Sequence, residues 1–108
     1  MIVELRVYYC APTRLPALQQ RFRSTTLSFF EKYGIEQIGF WTTAVGTDNH
    51  ALTYLLKWDS MAQREERWNA FQADPEWIAA RTESERERPI VTRVENSFLS
   101  PTDFSALR

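Results

Sequence analysis

The sequence holds one cysteine, Cys10, and one histidine, His50. A single cysteine excludes an internal disulfide and any CxxC metal or redox motif. With one histidine and no spaced ligand set, no metal site is expected, because metal sites need three or four clustered ligands. Three glycines in 108 residues leave little from which to build a glycine-rich phosphate cradle, and neither GxSxG nor HExxH occurs. Neither sign of charge dominates: thirteen basic and fourteen acidic residues give a formal net charge of −1. That balance gives no electrostatic footprint for nucleic acid or an anionic membrane. No apolar run reaches the roughly 18 residues that a membrane span takes, so no membrane insertion is expected. The opening MIVELRVYYC reads as a strand and lacks the basic head and cleavage site of a signal peptide. A cytoplasmic location is the plain expectation.

What is present is an ordinary globular mixture, 44% hydrophobic and 25% charged, of a length that makes one domain. Aromatic residues are abundant at 14%, with seven Phe, four Tyr and four Trp. For so small a core, some of these rings are expected to line a cleft or a subunit contact.

Ile2 to Cys10 alternates strictly. Val3, Leu5, Val7 and Tyr9 share one face; Ile2, Glu4, Arg6 and Tyr8 share the other. The apolar face is expected to carry helices. Thr13 is placed to cap the next helix and Pro16 falls in its first turn. Leu15, Leu18, Phe22, Thr25, Phe29 and Tyr33 then recur at helical spacing, and Gly34 suits the left-handed position that ends a helix. Ile35 to Val45 and His50 to Trp58 read as an antiparallel hairpin across the turn Gly46–Asn49. Asp59-Ser60 starts a second helix, with Ser60 and Gln63 spaced as a capping box. Met61, Arg64, Trp68 and Phe71 follow at helical spacing. Asp74-Pro75 interrupts, and a short helix runs from Pro75 to about Arg86, with Arg81 and Glu85 spaced as an ion pair. Ile90 to Leu99 is the last strand.

The order is β-α-β-β-α-β, an α+β fold of the ferredoxin-like type with an antiparallel sheet. Residues 1–100 form the domain and residues 101–108 a tail. Phe104 and Leu107 in that tail predict that it docks on its own domain or its partner. Helices cover one sheet face only. A second copy of the sheet is the economical cover for the other, on which Ile2, Tyr8, Trp41, Val94 and Phe98 are expected. The expected assembly is therefore a homodimer.

Five strings in order, IVELRVY, GFWTTAVG, WDSMAQREERW, ADPEW and RVENSFLSPTDFS, together resemble the NIPSNAP family over nearly the whole chain. The resemblance implies a dimeric α/β barrel and no defined catalytic mechanism. It implies a protein of unassigned activity that binds a small molecule or a protein partner, with no cofactor. The alternative is a cofactor-independent monooxygenase-like enzyme acting in the cleft between helices and sheet, since such enzymes share the superfamily. One departure stands out. Many relatives carry a histidine and a tryptophan inside the third strand; here Tyr54 and Leu56 hold those places.

Five residues are candidate ligand contacts: Glu4, Arg6, Tyr8, Trp41 and Thr43. Arg6 would clamp an anionic or carbonyl-bearing molecule, Glu4 would fix Arg6, and Tyr8 would donate a proton. The competing reading makes Glu4, Arg6 and Tyr8 a structural ion-pair network at the sheet-to-sheet contact, with Arg93 or Glu95 as partners. Trp41 either walls a pocket or fills the barrel. His50 reads as a solvated turn residue, and no catalytic residue is assigned. A third reading, a pure scaffold, predicts an outer apolar patch around Trp68 or Trp77 and no pocket.

Overall fold

The computed structural model describes residues 1–108. Strand β1 spans Ile2–Cys10, β2 Glu36–Thr42, β3 Ala51–Trp58 and β4 Val91–Leu99. Between β1 and β2 the chain passes through α1 (Leu15–Arg21), a π-helical turn (Phe22–Thr26) and α2 (Leu27–Lys32). Between β3 and β4 it passes through α3 (Met61–Ala73) and α4 (Pro75–Ser84). The strands form one antiparallel sheet in the order β2-β3-β1-β4, the ferredoxin-like α+β arrangement. No helix is long and apolar enough to cross a membrane.

Local chemistry sets most of the boundaries. Gly34 takes φ +66° after Tyr33, the left-handed conformation that a glycine adopts without a Cβ penalty. Ser60 caps α3: its Oγ accepts from the Gln63 N–H, and the Gln63 side chain accepts from the Asp59 N–H. Asp74 ends α3 and caps α4 by accepting from the Glu76 N–H at 2.8 Å, with Pro75 in the first turn. The start of α1 differs from expectation. Arg14 is its N-cap, with no side-chain cap, while Thr13 lies in a turn at φ 69°. There Thr13 Oγ1 accepts from Arg88 Nη2.

The first helical segment also differs. Its buried positions are Leu18, Arg21, Phe22, Thr26 and Phe30, where simple helical spacing predicts Thr25 and Phe29. The π-turn accounts for this. Its wider turn takes an extra residue, so positions four apart stay in line instead of drifting round the helix. Burial of Leu18 and Phe30, at 0% and 2% exposure, stabilises the fold by roughly 1.5–3 kcal/mol each.

The two sheet faces are the reverse of the sequence expectation. Glu4, Arg6, Tyr8 and Cys10 lie under the helices, beside Leu52, Tyr54, Leu56 and Trp58 of β3. Ile2, Val94 and Phe98 share that covered face by register. The uncovered face instead carries Val3, Leu5, Val7, Leu55 and Leu99. Trp41 is also on it, opposite Thr53 and 51% exposed. Alternation separates two faces but does not say which one a helix covers when both could be covered. Glu4 and Arg6 go under the helices because each finds partners there. Strand β2 adds an irregularity: its register shifts between Gln37 and Gly39, so Ile38 is an extra residue and simple parity fails across it.

The core is strongly aromatic. Trp58, Tyr54 and Phe71 are its largest fully enclosed side chains. Trp68 and Trp77 belong to it as well, at 7% and 4% exposure, which corrects the expectation of an outer patch around either. In the tail, Phe104 is 84% exposed.

Candidate functional site

Glu4 is the third residue of β1 and has no solvent exposure. Its carboxylate accepts five hydrogen bonds: from Arg6 Nη1 at 2.9 Å, Asn96 Nδ2 at 3.0 Å, Trp58 Nε1 at 3.1 Å, and Arg64 Nε and Nη2 at 3.2 Å each. Burial alone works to raise the Glu4 pKa. Hydrogen bonds from Arg64, Asn96 and Arg6 outweigh it and hold the carboxyl below its ordinary value. The partners are thus Arg64, Trp58 and Asn96. Arg93 and Glu95 pair with each other on the uncovered face.

Arg6 is fixed on all sides. Its Nε donates to the Tyr54 hydroxyl at 2.8 Å, its Nη2 to the Tyr8 hydroxyl at 3.3 Å, and its guanidinium carbon lies 4.4 Å from the Trp68 ring centre. Burial works to lower the Arg6 pKa, but Tyr54, Tyr8 and Glu4 together raise it. The Tyr54 hydroxyl donates in turn to the Tyr8 hydroxyl at 2.9 Å. Tyr8 therefore accepts two hydrogen bonds, and its own proton is left over for another acceptor.

Tyr8 and Arg6 form part of the wall of a cavity of about 870 Å³ between the sheet and the helices, within the roughly 300–1,000 Å³ that suits a small organic ligand. The indoles of Trp68 and Trp77 supply apolar wall, with Val91 and Val94 from the sheet. Five guanidinium groups line it, those of Arg6, Arg21, Arg64, Arg81 and Arg86, against one carboxylate, Glu85. The expected Arg81–Glu85 ion pair does not form. Glu85 Oε1 accepts from the backbone N–H groups of Ile90 and Val91 instead, at 2.8 and 3.3 Å. Glu85 thus answers the N–H of Ile90, just before the last strand, as well as that of Val91, its first residue.

The sequence candidates divide. Glu4, Arg6 and Tyr8 come together, and of these Arg6 and Tyr8 reach the cavity wall. Trp41 does not join them. It lies over Gly39 on the uncovered face, so close that a Cβ on Gly39 would come within 2.8 Å of its ring. Thr43 lies past the end of β2. A smaller groove of about 320 Å³, lined by Phe22, Leu27, Phe40, Trp41 and Leu52 among others, is where Trp41 contributes. No three His, Cys, Asp or Glu side chains come together to hold a metal ion. Sequence reasoning missed Arg21, whose signal was a charged residue three places after Leu18, on the buried stripe. Tyr54 and Arg64 were visible only as members of their periodic faces.

Fold and site together define a class: a ferredoxin-like α+β domain with an arginine-lined cavity between helices and sheet. More narrowly, the chain belongs to the NIPSNAP family, whose model matches residues 3–106. It is similar to a solved NIPSNAP family protein from Agrobacterium tumefaciens, with 25% identity, a TM-score of 0.88 and coverage of 99% of this chain and 98% of that one. A NIPSNAP-like domain protein from Burkholderia xenovorans is similar at 26% identity and a TM-score of 0.85, covering 96% of this chain and 87% of that one. A Nitrosomonas europaea protein described as an antibiotic biosynthesis monooxygenase shares the fold, at 8% identity and a TM-score of 0.63, over 94% of this chain and 98% of that one. No protein of curated function matches the chain.

Proposed function

We propose that this NIPSNAP protein is a homodimer that binds a small organic molecule in the cavity between the helices and β1. The observation that carries the reading is Tyr8. Its hydroxyl accepts from both Arg6 and Tyr54, so its proton is directed to an acceptor from outside the network, and the ring stands on the cavity wall. The edges of Trp68 and Trp77, with Val91 and Val94, offer apolar contact to the body of the ligand. Arg6 and Glu4 set the position of Tyr8 and are not contact groups in their own right. Native mass spectrometry of the freshly purified protein, followed by Tyr8→Phe, tests the reading. A co-purifying small molecule that the variant loses is the expected result; a protein that binds nothing in the cavity refutes it.

The dimer reading is supported by the half-buried Leu5, Val7 and Leu55 and the exposed Leu99 and Trp41 on the sheet face that no helix covers. Facing copies of that sheet would cover it, and the exposed Phe104 of each tail would dock on the other subunit. Light scattering should give twice the chain mass, and Leu5→Glu should halve it. A wild-type monomer at micromolar concentrations would sink the dimer.

The second reading, a cofactor-independent oxygenase-like enzyme using the same cavity, draws on Tyr8 as a proton donor. Under it, Tyr8→Phe would abolish turnover of the bound molecule while leaving its affinity nearly unchanged. Under the binding reading the affinity itself falls and no turnover is seen.

A further inference from the structure

The cavity walls are unbalanced in charge, and the imbalance is local. Arg6 and Arg64 are both held by Glu4, and Arg86 lies 3.3 Å from Glu83. That leaves Arg21 and Arg81. Neither has a carboxylate within ion-pair distance. Arg21 is 8% exposed, yet only its Nη1 finds an acceptor, the Ser84 hydroxyl at 3.2 Å. Its Nε is buried without a partner, and so is the indole N–H of Trp77, over whose ring the Arg21 guanidinium lies at 5.7 Å. Arg81 lies on the same wall, half-buried, its expected partner Glu85 being turned to the backbone of β4.

A buried guanidinium with most of its donors unused is costly, because it has lost water and gained little in return. The half-buried Arg81 on the same wall adds like-charge repulsion. The strain shows in Arg21, whose pKa burial pushes below its ordinary value, with Arg81 adding to the fall and Glu85 opposing it. Native proteins leave buried polar groups unsatisfied only rarely. A bound anion relieves this from the cavity side: it offers acceptors to the guanidinium Nη groups, neutralises charge and screens the two cations from each other. The planar donor fork of arginine matches an oxyanion in particular.

We propose that the ligand is an organic oxyanion, a carboxylate or a phosphate ester, whose charged group sits between Arg21 and Arg81. Its apolar body packs on the edges of Trp68 and Trp77 and on Val91 and Val94, and its far end accepts the Tyr8 proton. This rests on the reading of the cavity as a small-molecule site and names the chemical class it selects.

Calorimetric titration with three probes of one body tests it: 1-naphthoate, 1-naphthyl phosphate and the neutral 1-naphthamide. At least one anion should bind about tenfold or more tighter than the amide, the discrimination expected from one charge-assisted contact. Whichever anion binds tighter identifies the oxyanion. Arg81→Gln, at a half-exposed position, should remove that preference by lowering anion affinity, with the amide as the control in each titration. Arg21→Lys, which keeps the charge and loses the fork, should weaken the preferred anion more than the amide. Equal affinity for anions and amide, or a preference that survives Arg81→Gln, overturns the anion proposal while the small-molecule reading stands. If none of the three binds, the anion proposal falls, and the small-molecule reading stands or falls on the native mass spectrum.

Discussion

Replacing Glu4 by glutamine should remove a large part of the stability of the domain. The side chain keeps its shape but exchanges one carboxylate oxygen for an amide that donates. The Oε2 position receives Arg6, Arg64 and Asn96, and the Oε1 position receives Trp58 and Arg64. The least costly placement puts the amide nitrogen at the Oε1 position, and Trp58 Nε1 and Arg64 Nε then face a donor. Arg6, 8% exposed, loses its counter-charge whichever way the amide turns. Breaking a buried ion pair by removing one partner costs about 3–5 kcal/mol, against a total of about 5–15 kcal/mol for a domain. In urea, with a slope of about 1–3 kcal/mol/M, the midpoint should fall by roughly 2 M at unchanged slope. Acid dependence gives a second check. The folded pKa of Glu4 lies below its ordinary value. Its contribution is therefore complete above the ordinary carboxylate range and is lost as pH falls through the folded value. The glutamine variant should lack that component of acid destabilisation. A loss under about 1 kcal/mol at neutral pH would show that Arg6 tolerates burial without Glu4, and the account of the network would be wrong.

Asp74→Asn should lower the thermal midpoint and flatten its fall at acid pH. Asp74 accepts from Lys32, Tyr33 and the Glu76 N–H, and these hold its carboxyl far below the ordinary range, so its contribution is lost as pH drops. Calorimetry across the acid range reads both effects. Gly34→Ala, at φ +66°, should cost about 1 kcal/mol in a chemical melt; no loss would mean that the helix end relaxes. Gly39→Ala should push the Trp41 ring off the sheet, since the new Cβ would stand 2.8 Å from it. A shift in tryptophan emission with little change in stability is expected, and unchanged emission would place the ring elsewhere.

The order of strands and helices was legible because periodicity, capping residues and turn chemistry agree along most of the chain. Ser60, Gly34 and Asp74-Pro75 each carry a local reason that no tertiary contact overrides. The orientation of the sheet was not legible. Deciding whether Glu4 and Arg6 lie under helices or against a second sheet needs Tyr54, Arg64 and Asn96, which are 48, 60 and 92 positions distant from their partners. The shift from Phe29 to Phe30 was hidden for a different reason, because nothing in the string FRSTT announces a π-turn. The candidate site was half visible. Arg6 and Tyr8 were found from strand parity, while Arg21 and Arg81 became notable only once Glu85 was seen to bind backbone. A charge without a partner is a property of three-dimensional neighbours, and spacing alone pairs it wrongly.

The π-turn at Phe22–Thr26 separates two duties within one rod. Arg21, just before it, faces the cavity, while Thr26 and Phe30, in and after it, hold the aromatic interior. The bulged turn is in effect a spacer one residue long. If the full sequence were wound as an ordinary α-helix, with the extra residue unabsorbed, everything on one side would swing about a quarter-turn relative to the other. Either the guanidinium would leave the cavity or Phe30 would leave the interior. The wider turn thus lets the wall of the cavity change its chemistry without moving the packing that supports it, and the two can diverge independently among descendants of the same scaffold.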